Sequence, residues 1–162
     1  MVKKLLNPLV VSGFILVLLL GSIAHLMYGH CQTSKWHYIV QRYYMTDYLP
    51  ELLWSRFQKL NNSESWYIED DYSGVWKDYY ESGNLELSCN YINSEQFGLE
   101  EGWFEDGSKE SICNWKNNHV IGLRERWYNN GSSDIKEFYD PRGKFLKREI
   151  YINNMLYKTV TP

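Results

Sequence analysis

Little in this chain of 162 residues is arranged for catalysis. Its four histidines, His25, His30, His37 and His119, show no metal-ligand spacing, so no zinc site is readable. The acidic runs Glu69-Asp70-Asp71 and Glu100-Glu101 lack the alternating ligands of a calcium loop and read as solvated surface. No serine occupies a nucleophile elbow, and no glycine loop suits a phosphate. The expectation is therefore no catalytic residue, no bound metal, no cofactor, and a protein that is not an enzyme. Positive charge is scarce too. Once Lys3 and Lys4 are set aside, 15 basic groups face 20 acidic ones, a net −5 that disfavours nucleic acid as a partner.

From Leu5 to Tyr28 there is no Asp, Glu, Lys or Arg at all, and Phe14 to Leu20 is wholly apolar. A charge-free run after two lysines marks a targeting segment. It fits either a membrane anchor, because the apolar character continues through Ile23, Leu26 and Met27, or a signal peptide cleaved near Ser22-Ile23-Ala24. With Lys3 and Lys4 held inside, everything beyond Tyr28 is expected outside the cytoplasm, either anchored to the membrane or released as a secreted or periplasmic protein. The expected organisation is residues 1–30 as signal or anchor, 31–62 as a helical lead-in or cap, and 63–162 as a β-hairpin repeat domain.

In the lead-in, Trp36, Ile39, Val40, Tyr43 and Tyr44 fall on one helical face, and Pro50 opens a second segment with Leu53, Phe57 and Leu60 at helical spacing. Beyond it the chain is rich in what sheets use: aromatics make up 17% of the residues, with 14 Tyr and 7 Trp. Shifting the chain by 24 residues aligns Gly74, Gly98 and Gly122 in one column and Gly83, Gly107 and Gly131 in another. Tyr79, Trp103 and Trp127 align in the same frame, as do Tyr67, Tyr91, Trp115 and Tyr139. Ser82-Gly83, Asp106-Gly107 and Asn130-Gly131 are dipeptides that suit two-residue hairpin turns. Tyr91-Ile-Asn-Ser, Trp115-Lys-Asn-Asn and Tyr151-Ile-Asn-Asn read as the returning turns, the last closing a half-repeat. The fold class expected is mainly β: antiparallel hairpins forming an elongated twisted sheet.

The segments Gly74-Val-Trp-Lys-Asp-Tyr-Tyr-Glu-Ser-Gly83, Gly98-Leu-Glu-Glu-Gly-Trp-Phe-Glu-Asp-Gly107 and Gly122-Leu-Arg-Glu-Arg-Trp-Tyr-Asn-Asn-Gly131 resemble MORN-type repeats, in the bacterial variant catalogued as YwqK-like antitoxins. The resemblance covers roughly residues 66 to 157. It implies successive hairpins used for protein or membrane association, with no catalytic residues to carry over.

Three side-chain expectations follow from the hairpins. Two-residue turns would pair Tyr79 with Glu86, Trp103 with Glu110 and Trp127 with Asp134, a ladder of rings and carboxylates suited to a basic or cationic ligand; packing between the rings is the plainer reading, and a three-residue turn with a bulge would separate the columns. Cys89 and Cys113 share a repeat position but would sit two strands apart, about 9 to 10 Å, too far for a disulfide, so free thiols are expected. Cys31 is then the one available for pairing between chains. The charge is divided: residues 64–110 hold 13 acidic and 2 basic side chains, and 116–158 hold 9 basic and 5 acidic. The function expected is a non-catalytic binding or scaffolding module with a protein partner. Alternatives are a carbohydrate or cell-wall binder, since aromatic hairpin repeats also resemble choline-binding wall modules, and an immunity or antitoxin protein, which rests on the family label.

Overall fold

The computed structural model of the chain describes residues 7–45 and 71–162, which fall in two separate compact units, Met1–Phe57 and Gln58–Pro162. In the first unit, helix α1 (Pro8–Tyr28) begins where Asn7 accepts a hydrogen bond from Leu9 N through its side chain, with Pro8 at the first helical position, where its missing N–H costs nothing. Pro8–Met27 is long and apolar enough to be a signal or a membrane anchor.

A short 3-10 turn (Cys31–Thr33) leads to helix α2 (Lys35–Ile39), capped by Ser34, whose hydroxyl accepts from His37 N. The helix then widens into a π-helical turn over Val40–Tyr44. The expected face is corrected. The buried side chains are His37, Tyr38, Ile39 and Gln41, whereas Trp36 and Tyr44 are each 60% exposed. The angular step per residue changes at Val40, so a stripe drawn at α-helical spacing does not continue through it. Gln41, 1% exposed, donates through Nε2 to the carbonyls of Leu26 (2.6 Å) and Gly29 (2.8 Å). It thereby satisfies acceptors left open at the C-terminal end of α1. The second lead-in helix expected from Pro50 lies outside the described residues.

The second unit is one open antiparallel sheet in sequential order: β1 (Gly74–Tyr79), β2 (Leu85–Ile92), β3 (Glu95–Trp103), β4 (Lys109–Lys116), β5 (His119–Trp127), β6 (Ser133–Tyr139), β7 (Phe145–Ile152) and β8 (Met155–Val160). The expected mainly β fold is what forms, but its turns alternate between two kinds. At Ser82-Gly83, Asp106-Gly107 and Asn130-Gly131 the loops hold three residues rather than two. Tyr80 N donates to Asn84 O and Gly83 N to Tyr80 O, with the same pair of bonds between Phe104 and Ser108 and between Tyr128 and Ser132. The glycine takes the third place at φ 88°, 87° and 77° respectively. The two-residue turns are the returning ones, Asn93-Ser94, Asn117-Asn118 and Asn153-Asn154, with φ between 50° and 64° at all six residues. Asn tolerates that left-handed region because its short amide can bond locally. The β6–β7 connection has a three-residue loop, Pro141-Arg142-Gly143, held by the Asp140 carboxylate, which accepts from Arg142 N and Lys144 N.

Residues directly opposite one another share a face of the sheet. On that rule every buried side chain of the sheet among the described residues, Trp76, Asp78, Cys89, Tyr91, Cys113 and Glu137, lies on one face. The opposite face carries charged and aromatic side chains in contact with water, the division expected of an antiparallel sheet.

Candidate functional site

The expected ladder of rings and carboxylates does not form as drawn. The register slips by one residue between Asp78 and Tyr79, between Gly102 and Trp103, and between Arg126 and Trp127. Tyr79 therefore faces Leu85, Trp103 faces Lys109 and Trp127 faces Ser133. Glu86, Glu110 and Asp134 are the extra residues of β-bulges and fall between the register positions of the facing strand. The cause is the three-residue loop, which adds one residue to the returning strand compared with the tighter turn. A cation does sit on the ladder, and the chain supplies it. Lys109 Nζ lies 4.3 Å from the Trp103 ring centre and 2.5 Å from Glu101 Oε1. Further along, Lys147 stands 4.2 Å from the ring of Phe138 and pairs with Glu149 at 2.6 Å. Lys136 pairs with Glu125 at 2.7 Å and lies 5.8 Å from the Tyr151 ring. These contacts compete with any outside cation for the same ring faces.

The buried face holds a polar row that runs strand to strand. The register sets Trp76 opposite Cys89, Cys89 opposite Glu100, Glu100 opposite Cys113, Arg124 opposite Glu137 and Glu137 opposite Arg148. Trp76 Nε1 donates to Asp78 Oδ1 at 2.8 Å, within a site where both residues are at most 2% exposed. Glu100 accepts from Cys113 Sγ at 3.5 Å and from Gln96 Nε2 at 3.1 Å. Gln96 also donates to Cys89 Sγ at 3.4 Å, so one amide bridges thiol and carboxylate. Reading the Glu100-Glu101 run as solvated surface is thus corrected for Glu100. Strand alternation sends it to the buried face, while Glu101 faces the other way to meet Lys109.

Electrostatics follow from burial. Desolvation raises the Glu100 carboxyl, partly offset by the hydrogen bond from Cys113 and the nearby Arg124 charge. The Cys89 thiol is pushed up to about 12, by burial first and the Glu100 charge second, and Cys113 moves in the same direction for the same causes. Tyr91 is raised as well, chiefly by burial. A thiol held this high stays protonated at neutral pH, which suits a hydrogen-bond donor and disables a thiolate nucleophile. At the far end Glu137, 6% exposed, accepts from Arg148 through Nε (2.8 Å) and Nη2 (2.5 Å) and from Tyr139 OH (3.2 Å), with Arg124 Nη1 at 3.8 Å.

None of the three cysteines forms a disulfide, and all three are buried. β3 lies between the strands that carry Cys89 and Cys113, which is why those two do not meet. Cys31 is 0% exposed, which corrects its expected availability to another chain. Among the described residues no group of three or more His, Cys, Asp or Glu side chains is placed to hold a metal ion. The sequence reading missed the polar row. Its columns recur at the repeat spacing, but Trp76, Glu100, Arg124 and Arg148 share no chemistry, so nothing in the residue types announces that they stand side by side.

No family model matches the chain, and no curated protein matches it. Among solved structures, TarM aligns with 58% of this chain at 18% identity and a TM-score of 0.36. A GtfA/B complex bound to UDP and GlcNAc aligns with 59% at 6% identity and a TM-score of 0.31. The aligned parts are 18% and 25% of those proteins, and likenesses of this strength carry no functional argument.

Proposed function

We propose that the chain is a non-catalytic binding module, held at a membrane through α1 or exported by it, that presents its sheet outside the cytoplasm to a protein partner. The observation that supports this best is the last strand. β8 pairs with β7 along one side, and Met155, Leu156 and Tyr157 are 69%, 54% and 70% exposed. Leu146 and Ile152 on the neighbouring β7 are 47% and 49% exposed. Among the described residues β8 pairs with β7 alone, and an apolar edge strand of this kind invites another chain, whereas proteins that do not use such an edge cover or charge it.

The test is photocrosslinking in the native cell from Tyr157, with Tyr80, whose hydroxyl donates to Trp103 O, as the control position. A discrete adduct from position 157 that disappears in Leu156→Asp supports the reading. Failure to form any adduct from the edge would remove it. A C-terminal reporter active only in the cytoplasm would overturn the placement.

A further inference from the structure

A recess of about 410 Å³ lies on the sheet between β3, β4 and β5. Two glycines make its floor, Gly98 at φ 80° and Gly122 at φ 70°. A Cβ added to Gly122 would meet nothing within 4 Å, and one on Gly98 would meet Asn90 Nδ2 alone, at 3.8 Å. At both positions the recess is lined by backbone with no side chain. Phe97, 45% exposed, and Ile121 line it, together with Asn114 and Lys116. Asn114 stands opposite Ile121 in the register, and Lys116, two residues along the same strand, shares that face.

Among the described residues the two polar groups, Asn114 and Lys116, have no side-chain partner. One repeat earlier, Asn90 donates through Nδ2 to Leu99 O at 3.0 Å. Asn114 forms no side-chain hydrogen bond with the described residues, and Lys116 forms no ion pair with them. Lys109, Lys136 and Lys147, by contrast, are each committed to a carboxylate and a ring. The recess therefore brings together a free amide, a free ammonium and an open ring face above a backbone floor.

We propose that this recess binds an acidic saccharide, a pyranose ring that carries a carboxylate. The volume falls in the range of small-ligand sites and suits a sugar ring rather than a folded partner. The apolar C–H face of the ring lies on Phe97. Asn114 offers a donor and an acceptor together, which suits adjacent hydroxyls. Lys116 pairs with the carboxylate through a charge-assisted hydrogen bond, and the glycine floor permits close approach of the ring to the backbone. A neutral sugar would leave the ammonium idle, and an acidic peptide would leave the ring and the amide idle. This site is separate from the β8 edge and does not rest on the protein-partner reading.

The full chain in detergent micelles is titrated by calorimetry and tryptophan fluorescence with a glucuronate oligosaccharide, a neutral glucan of equal length, an oligoglutamate peptide and inorganic phosphate. The glucuronate oligosaccharide is expected to bind. Lys116→Gln should weaken it about tenfold, the worth of one charge-assisted hydrogen bond, and bring it level with the glucan. Phe97→Ala should weaken both sugars and leave phosphate unaffected. Both substituted residues are exposed, and circular dichroism confirms that each variant is folded; if Phe97→Ala is not, Lys116→Gln alone decides. Oligoglutamate or phosphate competing as well as the oligosaccharide would overturn the proposal in favour of a simple anion site. Absence of glucuronate binding, or binding unchanged in Lys116→Gln, would overturn it outright.

Discussion

Glu137 is the member of the buried row whose loss should cost most. Its side chain is 8% exposed and accepts from Arg148 at two nitrogens and from Tyr139 OH, with Arg124 within ion-pair range. Glu137→Ala leaves two guanidinium groups on the buried face without their shared carboxylate. Breaking a fully buried pair costs about 3 to 5 kcal/mol. The Arg148 side chain is 47% exposed and can turn toward water, so the expected loss is about 2 to 3 kcal/mol. In a sheet domain of this size that lowers Tm by roughly 10 to 20 °C. The control is Glu125→Ala on the opposite face, where the Lys136 and Glu125 side chains are 30% and 23% exposed. A pair that open contributes about 1 kcal/mol at most. Thermal melts of both variants beside the parent, followed by far-ultraviolet circular dichroism, measure the difference. Equal losses, or less than about 1 kcal/mol for Glu137→Ala, would refute the idea that the row is held by charges withdrawn from water.

Gly107→Val should cost about 1 to 3 kcal/mol from backbone strain alone, because an added Cβ at φ 87° meets no atom within 4 Å. Gly143→Ala should cost more than Gly107→Ala, since its Cβ would lie 2.7 Å from His119 Cβ, and His119→Gly should recover part of that excess in a double-mutant cycle. Glu100, raised by burial, binds more protons folded than unfolded, so its contribution to stability falls as pH rises through the ordinary carboxylate range toward its folded pKa. Glu100→Gln should then gain on the parent as pH rises across that window in urea titrations, and a difference that ignores pH would refute this. Cys89 works in the same sense at alkaline pH. Its folded value of about 12 exceeds the ordinary thiol value of 9.0, so its stabilising contribution is present below about pH 9 and lost as pH rises toward 12. Iodoacetamide at pH 8 should leave Cys89 and Cys113 unmodified in the folded chain, and rapid labelling would contradict their burial.

The amino-acid sequence by itself determined the class of fold and the positions of the turns. Backbone preference is local. Gly83, Gly107 and Gly131, and the pairs at Asn93, Asn117 and Asn153, mark where φ must turn positive, and the runs between them are rich in side chains that fit a pleat. The charge-free run that became α1 was legible for the same reason, since length and polarity suffice to define it. Register was not legible. Whether a loop holds two residues or three depends on how the whole loop closes its hydrogen bonds, and that one-residue difference moved Glu86, Glu110 and Asp134 off their expected ring partners. The face of the lead-in helix escaped as well, because a π-helical turn at Val40 leaves no signature in residue type. Only the tertiary structure decided that Trp76, Cys89, Glu100, Cys113, Arg124, Glu137 and Arg148 form one row. They are distant along the chain, and cross-strand hydrogen bonding brings them side by side whatever their chemistry, leaving burial to set how each one ionises.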